Sequence, residues 1–134
     1  MAATFWVEVV SADHLVWEGN AAQLTATTTE GEIGILAHHI PLIATLAPGL
    51  AEVLDSEGSR HIIAVDGGFV SVTATGASII SPYAQLARDL DVEDARRALR
   101  TLTAQRDAGD NSPATSTAIH RAAAQVKAAE RRHG

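Results

Sequence analysis

Residues Glu30–Pro48, with the sequence EGEIGILAHHIPLIATLAP, bring turn-forming and apolar residues together within a short length of chain. Gly31 and Gly34 bracket two side chains and allow the backbone to bend sharply on either side of them. Pro41 blocks a helix and lacks the amide donor of a strand ladder, so it predicts a sheet edge or a bulge. Pro48-Gly49 predicts a turn that closes the stretch. The candidate core residues here are Ile33, Ile35 and Leu36.

Turn signals recur about every 8–12 residues on both sides of this stretch, up to about Ile80, which is the pattern of an all-β sandwich or barrel. Between the turns, short apolar runs predict strands, and none continues for ten residues with the period of a helix. In the first run, Phe5, Val7 and Val9 share one face. The predicted strands cover residues 4–10, 14–17, 22–28, 33–36, 42–46, 50–54, 61–65, 69–73 and 77–80.

After Tyr83 the period of the apolar residues changes from that of a strand to that of a helix. Asp91 is the predicted N-cap of a first helix that ends near Asp107. Pro113 suits the first position of a second helix, which runs to about Arg132. The short connection between them predicts an antiparallel αα-hairpin. The apolar stripe of the first helix is Val92, Ala95, Leu99 and Leu102, and that of the second is Thr115, Ala118, Ile119, Ala122, Val126 and Ala129.

The second helix has few large side chains with which to dock. Only Ile119 and Val126 of its stripe could each contribute the roughly 1.5–3 kcal/mol of a buried large aliphatic side chain. Ordering the backbone costs roughly 1–2 kcal/mol per residue, which helix hydrogen bonds offset only in part. We therefore expect the hairpin to dock weakly on the sandwich and to be able to leave it.

Composition and charge divide the chain into two parts. Of 134 residues, 46% are hydrophobic and only 4% aromatic, so aliphatic side chains must form the core, and the absence of cysteine excludes disulfides and thiolate metal sites. Through Tyr83 there are nine acidic residues and one basic residue, Arg60, whereas the remainder has seven acidic and nine basic residues. We place a β-sandwich domain at residues 1–85 and a helical hairpin at residues 86–134, an α+β organisation with two sheets.

This charge pattern also bears on partners. The acidic first part argues against nucleic acid, and the basic tail suits an acidic protein surface. No apolar run approaches the roughly 20 residues that span a bilayer, and the N-terminus lacks the pattern of a signal peptide.

The residues that could carry chemistry form no recognisable catalytic pattern. His38-His39 lies near Glu32, but adjacent strand residues point to opposite faces, so a loop or interface role is favoured over a metal site. Asp66-Gly67-Gly68 lacks the phosphate-loop pattern and predicts a tight turn. No serine has the context of a nucleophile elbow. Trp6 and Trp17 suit the core or an interface. The residues alone indicate an interaction module.

Several motifs resemble one family in order and spacing, the epsilon subunits of the F-type ATP synthase. The resemblance covers the whole predicted sandwich, and the helical tail is similar to the family's second domain. The matching segments are Val9-Val10-Ser11-Ala12-Asp13, Gly19, Glu30-Gly31-Glu32-Ile33-Gly34-Ile35-Leu36, His39 with Pro41-Leu42, Pro48-Gly49, and Val65-Asp66-Gly67-Gly68-Phe69-Val70 with Val72.

The resemblance implies a non-catalytic rotor subunit of the proton-translocating ATP synthase, whose sandwich binds the gamma subunit and rests on the c-ring. It further implies a peripheral location, through the complex, at the cytoplasmic face of a bacterial cell membrane. In this family the hairpin of many bacterial members extends, inhibits ATP hydrolysis and places basic residues near an acidic segment of the beta subunit, within the alpha/beta assembly. The implied c-ring contacts are Glu30, Gly31, Glu32 and His39, and the implied beta-subunit contacts are Arg121, Lys127, Arg131 and Arg132.

Some family members also bind ATP as a regulatory ligand, through an Ile/Leu-Asp-x-x-Arg-Ala motif at the start of the first helix. Leu90-Asp91 begins this motif, but Asp94 stands where the arginine belongs. Asp94–Ala98 restores Asp-x-x-Arg-Ala with Glu93 in place of the aliphatic residue. The resemblance implies no obligatory cofactor or metal. The candidate ATP-binding residues are Asp91, Asp94 and Arg97.

Two other classes of function remain as alternatives. A free-standing sandwich that binds a small ligand or carbohydrate would carry aromatic residues on one exposed face, and two Trp and one Tyr supply few of them. A metal hydrolase would use His38, His39 and Asp66, and metal analysis of the purified protein would identify it.

Overall fold

The computed structural model describes residues 3–132, with the side chains of residues 3–131, and has the predicted α+β organisation. A strand-rich first part is followed by two helices. The strands are β1 Phe5–Val10, β2 Leu15–Thr28, β3 Gly31–Ile35, β4 Leu42–Asp55, β5 Arg60–Asp66, β6 Phe69–Thr73, β7 Gly76–Ile80 and β8 Ala84–Leu86. A 3-10 turn at Ala87–Asp89 leads to α1 Val92–Asp107 and α2 Pro113–Arg132.

The strands form two layers that share β2 and β4. The hydrogen-bonded order is β3-β2-β1-β7-β6-β4-β5-β8, and β2 also pairs with β4. The first half of β2, then β1, β7, β6 and the first half of β4 form one sheet, in which β1 and β7 are parallel. The second sheet contains β3, the second halves of β2 and β4, β5 and β8. The predicted two-sheet sandwich is therefore confirmed.

The predicted breaks inside β2 and β4 are wrong. Pro48-Gly49 lies within β4, opposite Asp66 and Val65, rather than in a turn. Where β4 crosses between the sheets, residues 47–50 face the single residue Thr27 of β2. This irregularity accommodates a proline, which has no amide to donate to a ladder.

β2 is likewise one strand where the sequence predicted two. Gly19 pairs with Val7 of β1, so residues 18–20 do not end the strand. A Cβ at Gly19 would lie 3.0 Å from the indole of Trp17, so glycine here makes room for that ring. β8 was missed because its three residues are too few to display a period.

The core lies between the two sheets and follows the predicted alternation. Val7 and Val9 of β1 and Ile35 of β3 are fully buried. Leu36 was predicted to belong to this core, but its side chain is 58% exposed. It follows the last residue of β3 and begins the loop 36–41, so the strand's alternation no longer sets its direction. Pro41 ends this loop, one residue before β4.

The helices form the predicted hairpin, and α2 is the one that rests on the sandwich. The Asp91 carboxylate accepts a hydrogen bond from the Asp94 amide at 2.9 Å, as expected of an N-cap. Arg96 near the start of α1 pairs with Glu130 near the end of α2, so the helices are antiparallel. α2 packs against β4 and β5 on one side and α1 on the other. Its buried residues against the sandwich are alanines, Ala124, Ala128 and Ala129.

Candidate interaction surfaces

The Glu-Gly-Glu turn joins β2 to β3 and is held by hydrogen bonds of its own. Gly31 has a φ of +122°, which glycine adopts at little cost. The Thr28 hydroxyl accepts a hydrogen bond from the Glu30 amide at 3.1 Å and donates one to the Gly31 carbonyl at 2.6 Å. Glu30, Gly31 and Glu32 are all exposed. The turn therefore presents two carboxylates from a fixed backbone.

His39 lies away from this turn. It belongs to the loop 36–41, beyond the far end of β3, and β3 separates the two sites by about 13 Å at roughly 3.3 Å per residue. Its Nδ1 and the Ile40 carbonyl are 2.7 Å apart, so Nδ1 carries the proton and donates to that oxygen. The preceding residue, His38, has a φ of +66°, which is uncommon outside glycine. The two parts of the predicted c-ring contact are thus at opposite ends of one strand.

Several large apolar side chains are exposed on the outer face of the first sheet, beside a polar row of Glu8, Ser78 and Ser71. Leu15 pairs with Val10, Val10 with Ile80 and Ile80 with Phe69, so a row of apolar side chains crosses four strands. Large side chains elsewhere on this sheet are exposed as well. We call this surface the outer apolar face, and its exposed members are Trp6, Leu15, Ile43, Phe69 and Ile80.

The sequence contains a signal for the outer apolar face. Apolar residues at outward positions break the polar half of the alternation in β1, β4, β6 and β7. Of the members of this face, only Trp6 is among the residues predicted for the core or an interface. Sheets that face water carry polar residues on that side, so large apolar side chains there mark a contact surface.

Arg121 holds α2 to the sandwich. Its Nε and Nη2 donate to the same Asp66 oxygen at 3.2 and 3.0 Å, and the Asp66 side chain is only 8% exposed. The guanidinium lies 4.7 Å from the centroid of the Tyr83 ring, a cation–π geometry. Gln125 donates to the Tyr83 hydroxyl at 2.6 Å, and Tyr83 donates to Gln85. Burial raises the pKa of the Tyr83 phenol above its ordinary value, so it remains a neutral donor.

The remaining predicted basic residues lie near the end of α2. Arg131 donates to Glu52 of β4 at 3.3 Å, and the same carboxylate accepts from Arg60 at 2.5 Å. Lys127 is exposed beside them. The side chain of Arg132 lies outside the described residues. In this arrangement Arg121 and Arg131 are paired with acidic residues of the sandwich.

The candidate ATP-binding residues lie at the start of α1 and stabilise its first turns. Asp91 caps the helix, and Arg97 donates to Asp94 at 2.9 Å one turn earlier. All three side chains are exposed. The structure brings them together on one turn, where each has a partner within the helix.

In the part of the chain that the structure describes, the metal-hydrolase alternative has no assembled site. Among residues 3–132, no three His, Asp or Glu side chains are grouped to hold a metal ion. Asp66, one of the three ligands considered, is paired with Arg121. Ser11, Asp13 and His14 do meet, but one nitrogen, His14 Nδ1, lies near both the hydroxyl and the carboxylate. A nucleophile relay needs the two ring nitrogens to serve different partners.

Neither α1 nor α2, as described, combines the length and the apolar character that crossing a bilayer requires. The fold and surfaces define a β-sandwich with exposed contact faces and a docked helical hairpin. A family model described as "ATP synthase, Delta/Epsilon chain, beta-sandwich domain" matches residues 4–87. The chain belongs to the ATP synthase epsilon-chain family, as the resemblance predicted.

Relatives extend this match over the hairpin. The ATP synthase epsilon chain of Cutibacterium acnes is 38% identical over 131 residues, covering 92% of this chain and 90% of its own. That of Rhodococcus opacus is 38% identical over 130 residues, covering 96% and 98%. That of Streptomyces griseus is 43% identical over 108 residues, covering 81% and 87%.

Solved structures share the fold. A chain of the Euglena gracilis mitochondrial ATP synthase, solved as an OSCP/F1/c-ring complex, superposes with a TM-score of 0.77 at 24% identity, covering 100% of this chain and 84% of that one. A chain of the Tetrahymena thermophila mitochondrial ATP synthase central stalk and c-ring gives 0.58 at 15% identity, covering 99% and 98%. At 24% and 15% sequence identity, these two similarities show a shared fold and nothing further.

Proposed function

We propose that this chain is a non-catalytic central-stalk subunit of a proton-translocating F-type ATP synthase and couples c-ring rotation to ATP synthesis. One observation carries the proposal: the 38% identity to an ATP synthase epsilon chain extends over 131 residues and includes both the sandwich and the hairpin. In that role the chain is peripheral, held through the complex at the cytoplasmic face of the cell membrane, and it needs no cofactor and no nucleic acid.

The outer apolar face is the proposed gamma-subunit contact. Burying one large apolar side chain contributes roughly 1.5–3 kcal/mol, whereas one exposed ion pair contributes up to about 1 kcal/mol. A partner that covers Phe69 and Ile80 therefore gains more than one that pairs only with surface carboxylates. Affinity comes from this face, and the charged turn adds orientation.

The Glu-Gly-Glu turn is the proposed c-ring contact. Its backbone is fixed by Thr28, so Glu30 and Glu32 can meet basic or polar loop residues with little further ordering. His39, at the other end of β3, is assigned to the junction between the gamma subunit and the c-ring. We propose that the two sites touch different parts of the rotor because β3 keeps them apart.

The hairpin is proposed to inhibit ATP hydrolysis when it leaves the sandwich. Docked, Arg121 pairs with Asp66 and Arg131 with Glu52. On release, these cations and Lys127 and Arg132 become free to meet an acidic segment of the beta subunit. The same charges thus serve two alternative pairings, as a two-state element requires. ATP remains a candidate regulatory ligand at Asp91, Asp94 and Arg97, which calorimetric titration with Mg-ATP would test.

Purification of the complex tests the stalk role. The chain should co-purify with the gamma and c subunits from its native membrane. Phe69→Glu should reduce this recovery because it places a charge in the outer apolar face. Ala98→Glu, at an exposed position of α1, is the matched control and should leave it unchanged. Recovery of the chain without those subunits would contradict the proposal.

Deletion of residues 88–134 tests the hairpin separately. If the hairpin inhibits, complexes that carry the shortened chain should hydrolyse ATP faster than complexes with the full chain. Unchanged hydrolysis in an intact complex would assign the hairpin another role and would leave the stalk role standing.

A further inference from the structure

Three arginines from three separate segments line one cavity of about 240 Å³. Arg60 begins β5, Arg88 lies in the 3-10 turn after β8, and Arg131 lies in the last turn of α2. We call this the arginine cavity. Arg60 and Arg88 lie before the two helices, whereas Arg131 is carried by α2. The cavity therefore exists in this form only while α2 is docked.

The cavity has an excess of positive charge in an acidic protein. Arg60 is the one basic residue among the first 83, and it lies where two basic residues of the later segments converge. Glu52 accepts from both Arg60 and Arg131. Among the residues described, Arg88 has no ion-pair partner. Three guanidinium groups against one carboxylate leave two net positive charges, which match a dianion.

The walls favour a phosphoryl group over a simple spherical anion. A guanidinium presents its N–H donors as a planar fork that matches phosphate oxygens in pairs. Ile62, Leu86 and Ala87 complete the lining with apolar surface. Such a site accepts the oxygens of a phosphate on one side and a small apolar substituent on the other.

We propose that the arginine cavity binds a dianionic phosphoryl group, either inorganic phosphate or the phosphate of a small organic ester. Because Arg131 is carried by α2, a ligand held by all three arginines binds the docked hairpin better than the released one. It therefore shifts the hairpin toward the docked state by mass action. This site does not depend on the stalk role, since it concerns the full chain by itself.

Titration of the full chain with inorganic phosphate and with phenyl phosphate, at constant ionic strength, tests binding. Trp17 is a built-in reporter, because its ring lies 5.0 Å from that of His61, which lines the cavity. We expect one site with a dissociation constant on the order of 1 mM. Arg88→Gln should weaken binding about fivefold. Arg100→Gln, exposed on α1 outside the cavity, is the matched control and should change nothing.

Hydrogen exchange supplies a second readout. Saturating phosphate should slow exchange of the α2 amides in residues 124–131, and the same concentration should slow it less in Arg88→Gln. Tighter binding of phenyl phosphate would identify an ester as the ligand, and equal binding would identify the inorganic ion; both support the site. No saturation by about 20 mM, or equal binding by wild type and Arg88→Gln, would overturn it. Phosphate binding is measured on the full chain alone, whereas inhibition by the hairpin is measured by ATP hydrolysis of the assembled complex. Failure of the phosphate site can therefore be distinguished from failure of the proposed function.

Discussion

Gly68 illustrates how one residue can be fixed by the packing of a distant strand. Its φ is +97°, and a Cβ there would lie 2.0 Å from the Ile80 carbonyl oxygen and 2.7 Å from Ser81 Cα. Its own carbonyl accepts a hydrogen bond from the Leu46 amide at 2.8 Å. The sequence predicted a tight turn at this position, and the structure adds a steric requirement that backbone conformation alone does not impose.

Gly68→Ala should therefore be far more damaging than a matched change elsewhere. Gly58 also has a positive φ, +90°, but nothing lies within 4 Å of its missing Cβ. We expect Gly58→Ala to lower the free energy of unfolding by about 1–2 kcal/mol, the cost of the left-handed conformation. Gly68→Ala should cost at least about 3 kcal/mol more, because backbone must move. Urea unfolding measures both, and similar losses would contradict the steric argument.

Asp55 stabilises the turn between β4 and β5 with both carboxylate oxygens. Oδ2 lies 2.8 Å from His61 Nε2, and Oδ1 accepts from the Glu57 and Ser59 amides at 2.9 Å. The hydrogen bond with His61, followed by that from the Ser59 amide, lowers the pKa of Asp55 below its ordinary 3.8. The native state therefore releases this proton more readily than the unfolded chain does.

The sign of this shift predicts acid sensitivity. A lowered pKa contributes stability that is present above pH 3.8 and is lost as the pH falls through the native value. Between about pH 4 and pH 2, the free energy of unfolding should fall less steeply in Asp55→Asn than in wild type. Asp107→Asn, at the end of α1, is the control. Equal slopes in wild type and Asp55→Asn would contradict the assignment.

At the scale of elements, α2 is the part of the molecule that we expect to leave its docked position. It rests on β4 and β5 through alanines, which bury little apolar area each. Its specific contacts are polar: Arg121 to Asp66, Gln125 to Tyr83 and Arg131 to Glu52. Polar contacts depend on orientation and contribute modestly to stability, so we expect them to define the docked position without holding it tightly.

Arg121→Gln should release α2 more often. The change leaves the nearly buried Asp66 carboxylate without its cation and should cost about 1–2 kcal/mol of docking free energy. Exchange of α2 amides should then accelerate by roughly tenfold, while the β core is unaffected. Arg97→Gln, which removes an exposed pair within α1, is the control. In wild type, protection of residues 114–132 equal to that of the β core would contradict weak docking.

At the scale of the whole molecule, most of the buried apolar side chains among residues 3–131 fall into two separate clusters. The larger lies between the sheets and contains no residue of α1 or α2. The smaller lies under α2 and is formed mostly by alanines, with Leu90 the largest. Since the sandwich closes its own core, its folding should not require the hairpin.

A chain of residues 1–91 should therefore unfold cooperatively. Losing the three alanine methyl groups that α2 buries on the sandwich, at roughly 0.8 kcal/mol each, and the Arg121–Asp66 pair, at about 1–2 kcal/mol, should lower stability by about 3–4 kcal/mol. Calorimetry of this chain beside the full chain measures the difference. Loss of a cooperative transition would mean that the two groups form a single core.

The boundaries of local elements follow from neighbouring residues in the sequence. The Asp91 cap and the Pro113 start are set by neighbours within a few residues, and the structure confirms both. The change to a helical period comes later than predicted, because β8 occupies residues 84–86. The motifs shared with the ATP synthase epsilon subunits also predicted the class of protein, which the family match confirms. The turn at Glu30-Gly31 was also predicted, because its hydrogen bonds come from the adjacent Thr28.

Features that depend on residues far apart in sequence become visible only in the folded chain. Pro48-Gly49 continues a strand because a partner strand accommodates a bulge there, and Arg121 finds Asp66 across 55 positions of sequence. The outer apolar face arises when outward residues of five strands are brought side by side. Local patterns specify elements because their interactions are local, whereas the pairing of strands and charges far apart in sequence is selected by the packing of the whole chain.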